Sequence, residues 1–202
     1  MDGELDRAEF QALRDTIRER GTRRVTVFWA TTAFWATLLM AAIGLVAFAP
    51  TLGPRAGAFL TLVSLLPLAA GFEAVFALHV GVERIGRYLQ VFYEGREPLP
   101  AWERTAMAIG PSLPKGQPDP LFSAMFAAAG VLNLAPALLS RRPALTLAAL
   151  VAHGLFGLRL FRARRFAARQ RGEDLGRFEQ IRDGLGGARK GQEGSSSNRT
   201  AH

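Results

Sequence analysis

Five ionisable side chains fall close together in the stretch FEAVFALHVGVERIGRYLQVFYE, residues 72–94: Glu73, His79, Glu83, Arg84 and Arg87. On a helix His79 and Glu83, four apart, share a face, which is the spacing of two metal ligands or of an acid and base. With Arg84 and Arg87 beside them, the four form a cluster that could clamp a lipid headgroup during chemistry on it. A third and fourth metal ligand are not evident, and with no cysteine in the chain thiolate sites and cysteine nucleophiles are excluded. Depth argues against a haem held by His79 and His153, since one iron cannot take both within a single subunit. Counted from the outer ends of their spans the two differ by 13 residues, roughly 20 Å at 1.5 Å per residue. No metal and no cofactor is expected.

The elements that carry these residues are apolar blocks of membrane length. The chain of 202 residues is 49% hydrophobic, yet it has a net charge of +8. Its apolar residues gather in four blocks, at about 25–48, 57–80, 121–140 and 144–161, where a soluble fold would spread them. The fold class expected is an all-α integral membrane protein, four transmembrane helices with cytoplasmic amphipathic helices. Pro67 interrupts the second block and predicts a bend, and the three residues Arg141, Arg142 and Pro143 force the last two spans into an antiparallel hairpin. The first block is too long for the apolar core of a secretory signal, so it is read as a span.

Around this transmembrane domain, 25–161, the sequence predicts an amphipathic helix in 1–24, a helical loop in 81–120, a basic helical tail in 162–185 and a disordered tail in 186–202. Phe10, Leu13 and Ile17 recur at helical spacing in the first of these, with Gly21 placed to end that helix and Thr22 to cap the first span. Ile85, Tyr88, Leu89 and Phe92 continue the second span as an amphipathic helix that either projects or bends onto the membrane near Gly81 or Gly86. Trp102 sits in a shorter helix at 99–110. Of the 25 basic residues 22 fall on the side shared by both termini and the 81–120 loop, opposite Arg55, Arg141 and Arg142. Positive charge is retained on the cytoplasmic side, so the termini are expected to be cytoplasmic. With Arg outnumbering Lys by 23 to 2, a habit associated with GC-rich bacterial genomes, the expected location is a bacterial inner membrane, multi-pass.

Four polar residues remain within the spans: Glu73, His79, Asn133 and His153. Glu73 lies 16 residues from the outer end of its span and Arg159 lies 15 from the outer end of its own, which predicts a buried ion pair, with Thr31 or Thr32 offering a hydroxyl. His153 and Asn133 fall about a turn apart across the hairpin and predict a hydrogen bond. Ala124, Ala127, Ala128, Ala129 and Gly130 make a small-residue face suited to packing or to homo-oligomer formation. Beyond the fourth span Arg162, Arg164, Arg165, Arg169 and Arg171 form a juxtamembrane cluster that attracts anionic lipid headgroups. Topology accounts for most of the basic charge, and no nucleic-acid-binding pattern is present, so no nucleic acid is expected.

The function these features favour is a non-enzymatic scaffold or accessory subunit, set in the lipid bilayer, whose cytoplasmic layer binds anionic lipid or a partner protein. One alternative is a small transporter or channel using Glu73 in a polar path. The other is a membrane-embedded lipid-modifying enzyme using His79 and Glu83.

Overall fold

A computed structural model of the chain describes residues 2–49, 51, 53–93 and 120–197, and these described residues form helices joined by short turns. The helices are α1 (Asp2–Phe48), α2 (Gly53–Phe92), α3 (Pro120–Asn133), α4 (Ala135–Leu139) and α5 (Pro143–Ser197). Four helical stretches, Asp6–Phe48, Gly53–Phe92, Phe122–Leu139 and Pro143–Leu185, are long and apolar enough to cross a membrane. The expected loop helix with Trp102 lies outside the described residues.

Three expectations about helix ends change. Gly21 and Thr22 do not separate two helices: α1 runs through them, and the Thr22 hydroxyl donates to the Arg18 carbonyl one turn back. A lone glycine costs a helix only about 1 kcal/mol, too little to stop it between two good helix-forming segments. The third span is broken where a continuous helix was expected. Pro136 has no N–H for the carbonyl four residues back and its ring crowds that carbonyl, so α3 ends at Asn133 and α4 begins at Ala135. At the other extreme α5 stays helical to Ser197, past the point where apolar periodicity ends, in a segment with no proline to stop it.

Two units divide the chain. An apolar unit comprises Arg18–Val80 and Gln117–Ala167; a charged unit comprises Met1–Ile17, Gly81–Gly116 and Ala168–His202, of which residues 2–17, 81–93 and 168–197 are described. In the apolar unit aromatic rings from four helices meet edge to face. Phe72 stands 5.5 Å from Phe126 and 6.2 Å from Phe156, and Phe28 stands 5.7 Å from Phe126. Trp35, Leu39, Leu65, Leu68, Val75 and Leu160 complete this core. The first two helices approach so closely that a Cβ on Gly71 would collide with the Thr31 side chain, and one on Gly57 with Val46. Glycine is needed there for backbone proximity, the usual device where lipid supplies no hydrophobic drive between helices. Arg141 closes the hairpin in the left-handed region, φ 52°, while Thr146 and Ser140 both donate to the Ala137 carbonyl, at 2.9 and 2.7 Å.

The charged unit packs aromatics around its own helices. Phe10 of the α1 stripe lies 5.7 Å from Tyr93, and Phe178 of α5 lies 5.7 Å from Tyr88. Ile85, Tyr88, Leu89 and Phe92 fall on one side of an α2 that is helical through both Gly81 and Gly86. Leu89 and Tyr93 are buried.

Candidate functional site

Within the apolar unit the end of α3 carries Asn133, fully buried and hydrogen-bonded to three other helices. Its Oδ1 accepts from Trp35 Nε1 of α1 at 3.1 Å and from Ser64 Oγ of α2 at 2.6 Å. Its Nδ2 donates to the Thr61 carbonyl at 2.9 Å and faces His153 Nε2 of α5 at 3.1 Å. The indole is only a donor, which fixes the orientation of the amide. His153 Nδ1 lies 2.7 Å from the Ala149 carbonyl, so that nitrogen carries the proton and Nε2 accepts from Asn133. All four hydrogen-bonding positions of the Asn133 amide are therefore occupied, and a group so saturated braces a bundle; it has no valence left for a passing ion. The sequence reading pairs Asn133 with His153 but misses Trp35, Ser64 and Thr61. A Trp–Asn pair 98 positions apart leaves no trace in spacing.

Glu73 and Arg159 are brought together as well: Arg159 Nη2 donates to Glu73 Oε2 at 2.7 Å. The pair is on the surface of its unit, the side chains 46% and 42% exposed, where a buried position was expected. Arg159 also lies over the Phe76 ring, 5.4 Å from its centre, so an aromatic face takes the place of a buried polar partner. Thr32 donates to the Phe28 carbonyl of its own helix and Thr31 packs at Gly71, so the hydroxyl bond expected of them is made elsewhere or replaced by packing.

His79 and Glu83 are placed in different units, each with its own partner. Arg24 Nη1 donates to His79 Nδ1 at 3.1 Å, and the same guanidinium lies 5.1 Å from the centre of the Phe122 ring. Glu83 is held in the charged unit, accepting from Arg87 Nη1 at 3.0 Å. Among the described residues no three His, Asp or Glu side chains converge as metal ligands.

The charged unit holds the most concentrated polar geometry. Arg87 is 96% buried, and between its two Nη groups it grips Glu83 on its own helix and Asp174 Oδ2 of α5, the latter at 3.1 Å. Arg84 Nε adds a second bond to the same Asp174 oxygen at 3.3 Å. Asp174 was not foreseen; an acid three residues beyond an arginine run is the only signal, and it does not say which arginines it meets. Beside this cluster opens a cavity of about 170 Å³ lined by Ile17, Val82, Glu83, Gly86, Arg87, Gln90 and Arg171. Two buried polar atoms of its lining residues, Arg87 Nε and Gln90 Oε1, have no hydrogen-bond partner among the described residues.

Nearby in the same unit, burial and the Glu9 carboxylate push the Tyr93 phenol well above its ordinary pKa. Tyr88 donates to Glu9 Oε1 at 3.0 Å. Of the juxtamembrane arginines, Arg162, Arg165 and Arg169 are exposed, Arg164 and Arg171 half-buried, and Arg165 stacks over Phe161. Comparison with protein families, with curated proteins and with solved structures finds no match to this chain.

Proposed function

We propose that the chain is a multi-pass scaffold or accessory subunit of the bacterial inner-membrane type, non-enzymatic, with cytoplasmic termini, which holds anionic lipid or a partner protein through its charged helical layer. One observation carries this reading. Along the single helix α5 an apolar stretch of membrane length passes directly into exposed arginines at 162, 165 and 169. Guanidinium groups at that depth meet lipid phosphates, each contributing on the order of 1 kcal/mol near an anionic surface. The exposed Ala124, Ala127 and Ala128 on α3 suit close approach of a second copy.

The polar groups elsewhere support a passive role. Glu73 is neutralised by Arg159, Asn133 has no free bonding position, and His79 and Glu83 each face an arginine. Native mass spectrometry of the gently solubilised protein tests the reading. Co-purifying anionic lipid or a second polypeptide in fixed ratio is the expected result. Bare protein, together with a proton flux that disappears in Glu73→Gln, would replace it with the transporter reading. The chain has no cysteine, so single cysteines introduced at Gly3 and Gly194 report sidedness directly; labelling from the periplasmic side would reverse the topology.

A further inference from the structure

We infer that the cavity in the charged unit is a binding site for a phosphate ester whose other end carries an N–H donor, the phosphoethanolamine class of headgroup. The proposal rests on the lipid-holding reading above and goes beyond it, because the exposed arginines of α5 would hold any anionic surface whereas this site selects a structure. Arg87 is buried with both Nη groups committed to carboxylates, which leaves Nε–H as a desolvated donor in search of an acceptor. Three residues on, along the same face of α2, Gln90 Oε1 is a desolvated acceptor in search of a donor. Leaving either unmade costs about 1–3 kcal/mol, so an occupant offering both complements is favoured over an empty cavity.

Charge narrows the occupant further. Around the cavity and the cluster beside it, three guanidinium groups, Arg84, Arg87 and Arg171, stand against the two carboxylates of Glu83 and Asp174, an excess of one positive charge that suits a phosphate. Glu83 and Gln90 together offer acceptors for an ammonium, so the lining is dipolar in the same sense as phosphoethanolamine. The volume, about 170 Å³, admits a group of several heavy atoms and excludes a whole lipid. Position agrees: Val82, the first α2 residue of the lining, follows the apolar stretch 57–80 by two residues, which is where a bilayer places its headgroup phosphates. Choline lacks N–H donors and would leave Gln90 unsatisfied.

The test uses the full-length protein in mixed micelles containing equal amounts of phosphatidylethanolamine, phosphatidylcholine and phosphatidylglycerol, with bound lipid read by native mass spectrometry. The expected result is retention of phosphatidylethanolamine about tenfold over phosphatidylcholine, the scale of one charge-assisted hydrogen bond. Gln90→Leu, which leaves the Arg87 ion pairs in place, should bring the two to parity with an unchanged thermal midpoint. Equal retention in the native sequence, or a preference that survives Gln90→Leu, overturns the proposal. Preference for phosphatidylglycerol that vanishes at high salt also overturns it and leaves only the arginine surface. No lipid of any class retained would overturn the broader reading itself. A last arm adds free phosphoethanolamine at millimolar concentration: displacement of the lipid assigns the site to the headgroup alone, and persistence assigns it to the membrane-anchored form; both outcomes keep the phosphate-ester chemistry.

Discussion

Replacing Asn133 by leucine removes four hydrogen bonds while keeping side-chain volume close to constant. The bonds run to Trp35, Ser64, Thr61 and His153, at 3.1, 2.6, 2.9 and 3.1 Å. Interhelical hydrogen bonds within membrane proteins are worth about 0.6 kcal/mol on average, so the sum is about 2–3 kcal/mol, or a 30- to 150-fold shift in the folding equilibrium. Leucine recovers little of this, since the Trp35 indole N–H is left with nothing to bond, although the Ser64 hydroxyl can turn to the Thr61 carbonyl 3.1 Å away. The assay is reversible unfolding of the purified protein in mild detergent by titrated denaturing detergent, followed by circular dichroism. His153→Leu alone should lose about a quarter as much, and the double variant should lose less than the two single losses added together, because one bond is shared. Asn133→Leu within about 0.5 kcal/mol of the native protein would refute the argument, by showing that the node adds nothing to the apolar packing of its unit.

Three further outcomes follow from other parts of the molecule. Glu73→Gln should reduce stability in the native background and have a smaller effect once Arg159 is replaced by leucine; equal losses in the two backgrounds would mean the pair is uncoupled. Tyr93 has a phenol pKa raised in the folded state, so the folded and unfolded chains are both neutral below its ordinary value of 10.0 and only the unfolded chain ionises readily above it. Stability of the charged unit should therefore fall as pH rises beyond about 10, by at most about 1.4 kcal/mol per pH unit, and Tyr93→Phe should flatten that fall in denaturant titrations at pH 8 and 11. Arg141 adopts positive φ, where a side chain costs about 1–2 kcal/mol relative to glycine, so Arg141→Gly should raise the thermal midpoint unless the added chain entropy of glycine cancels the gain; a clear drop would mean that the Arg141 side chain itself holds the hairpin.

Sequence and structure divide the information along a physical line. Apolar runs of about 20 residues determine membrane-length helices whatever their neighbours do, because an unpaired backbone group in hydrocarbon costs several kcal/mol and only a helix avoids that within its own segment. Depth is legible for the same reason: a fixed rise per residue puts Glu73 level with Arg159 and Asn133 near His153 before any packing is known, and in both cases the side chains meet. What a one-dimensional count lacks is azimuth and partner choice. Which way Glu73 and Arg159 face, that Trp35 and Ser64 converge on Asn133, and that Asp174 closes on Arg84 and Arg87 all depend on how the helices are rotated against one another. Those rotations are set by contacts such as Gly71 against Thr31 and Phe72 between Phe126 and Phe156, each a small energy shared among residues far apart in the chain. The cavity beside Arg87 is the clearest instance. Its lining residues come from α1, α2 and α5, and its two unsatisfied atoms become visible only when every other partner has been assigned in three dimensions.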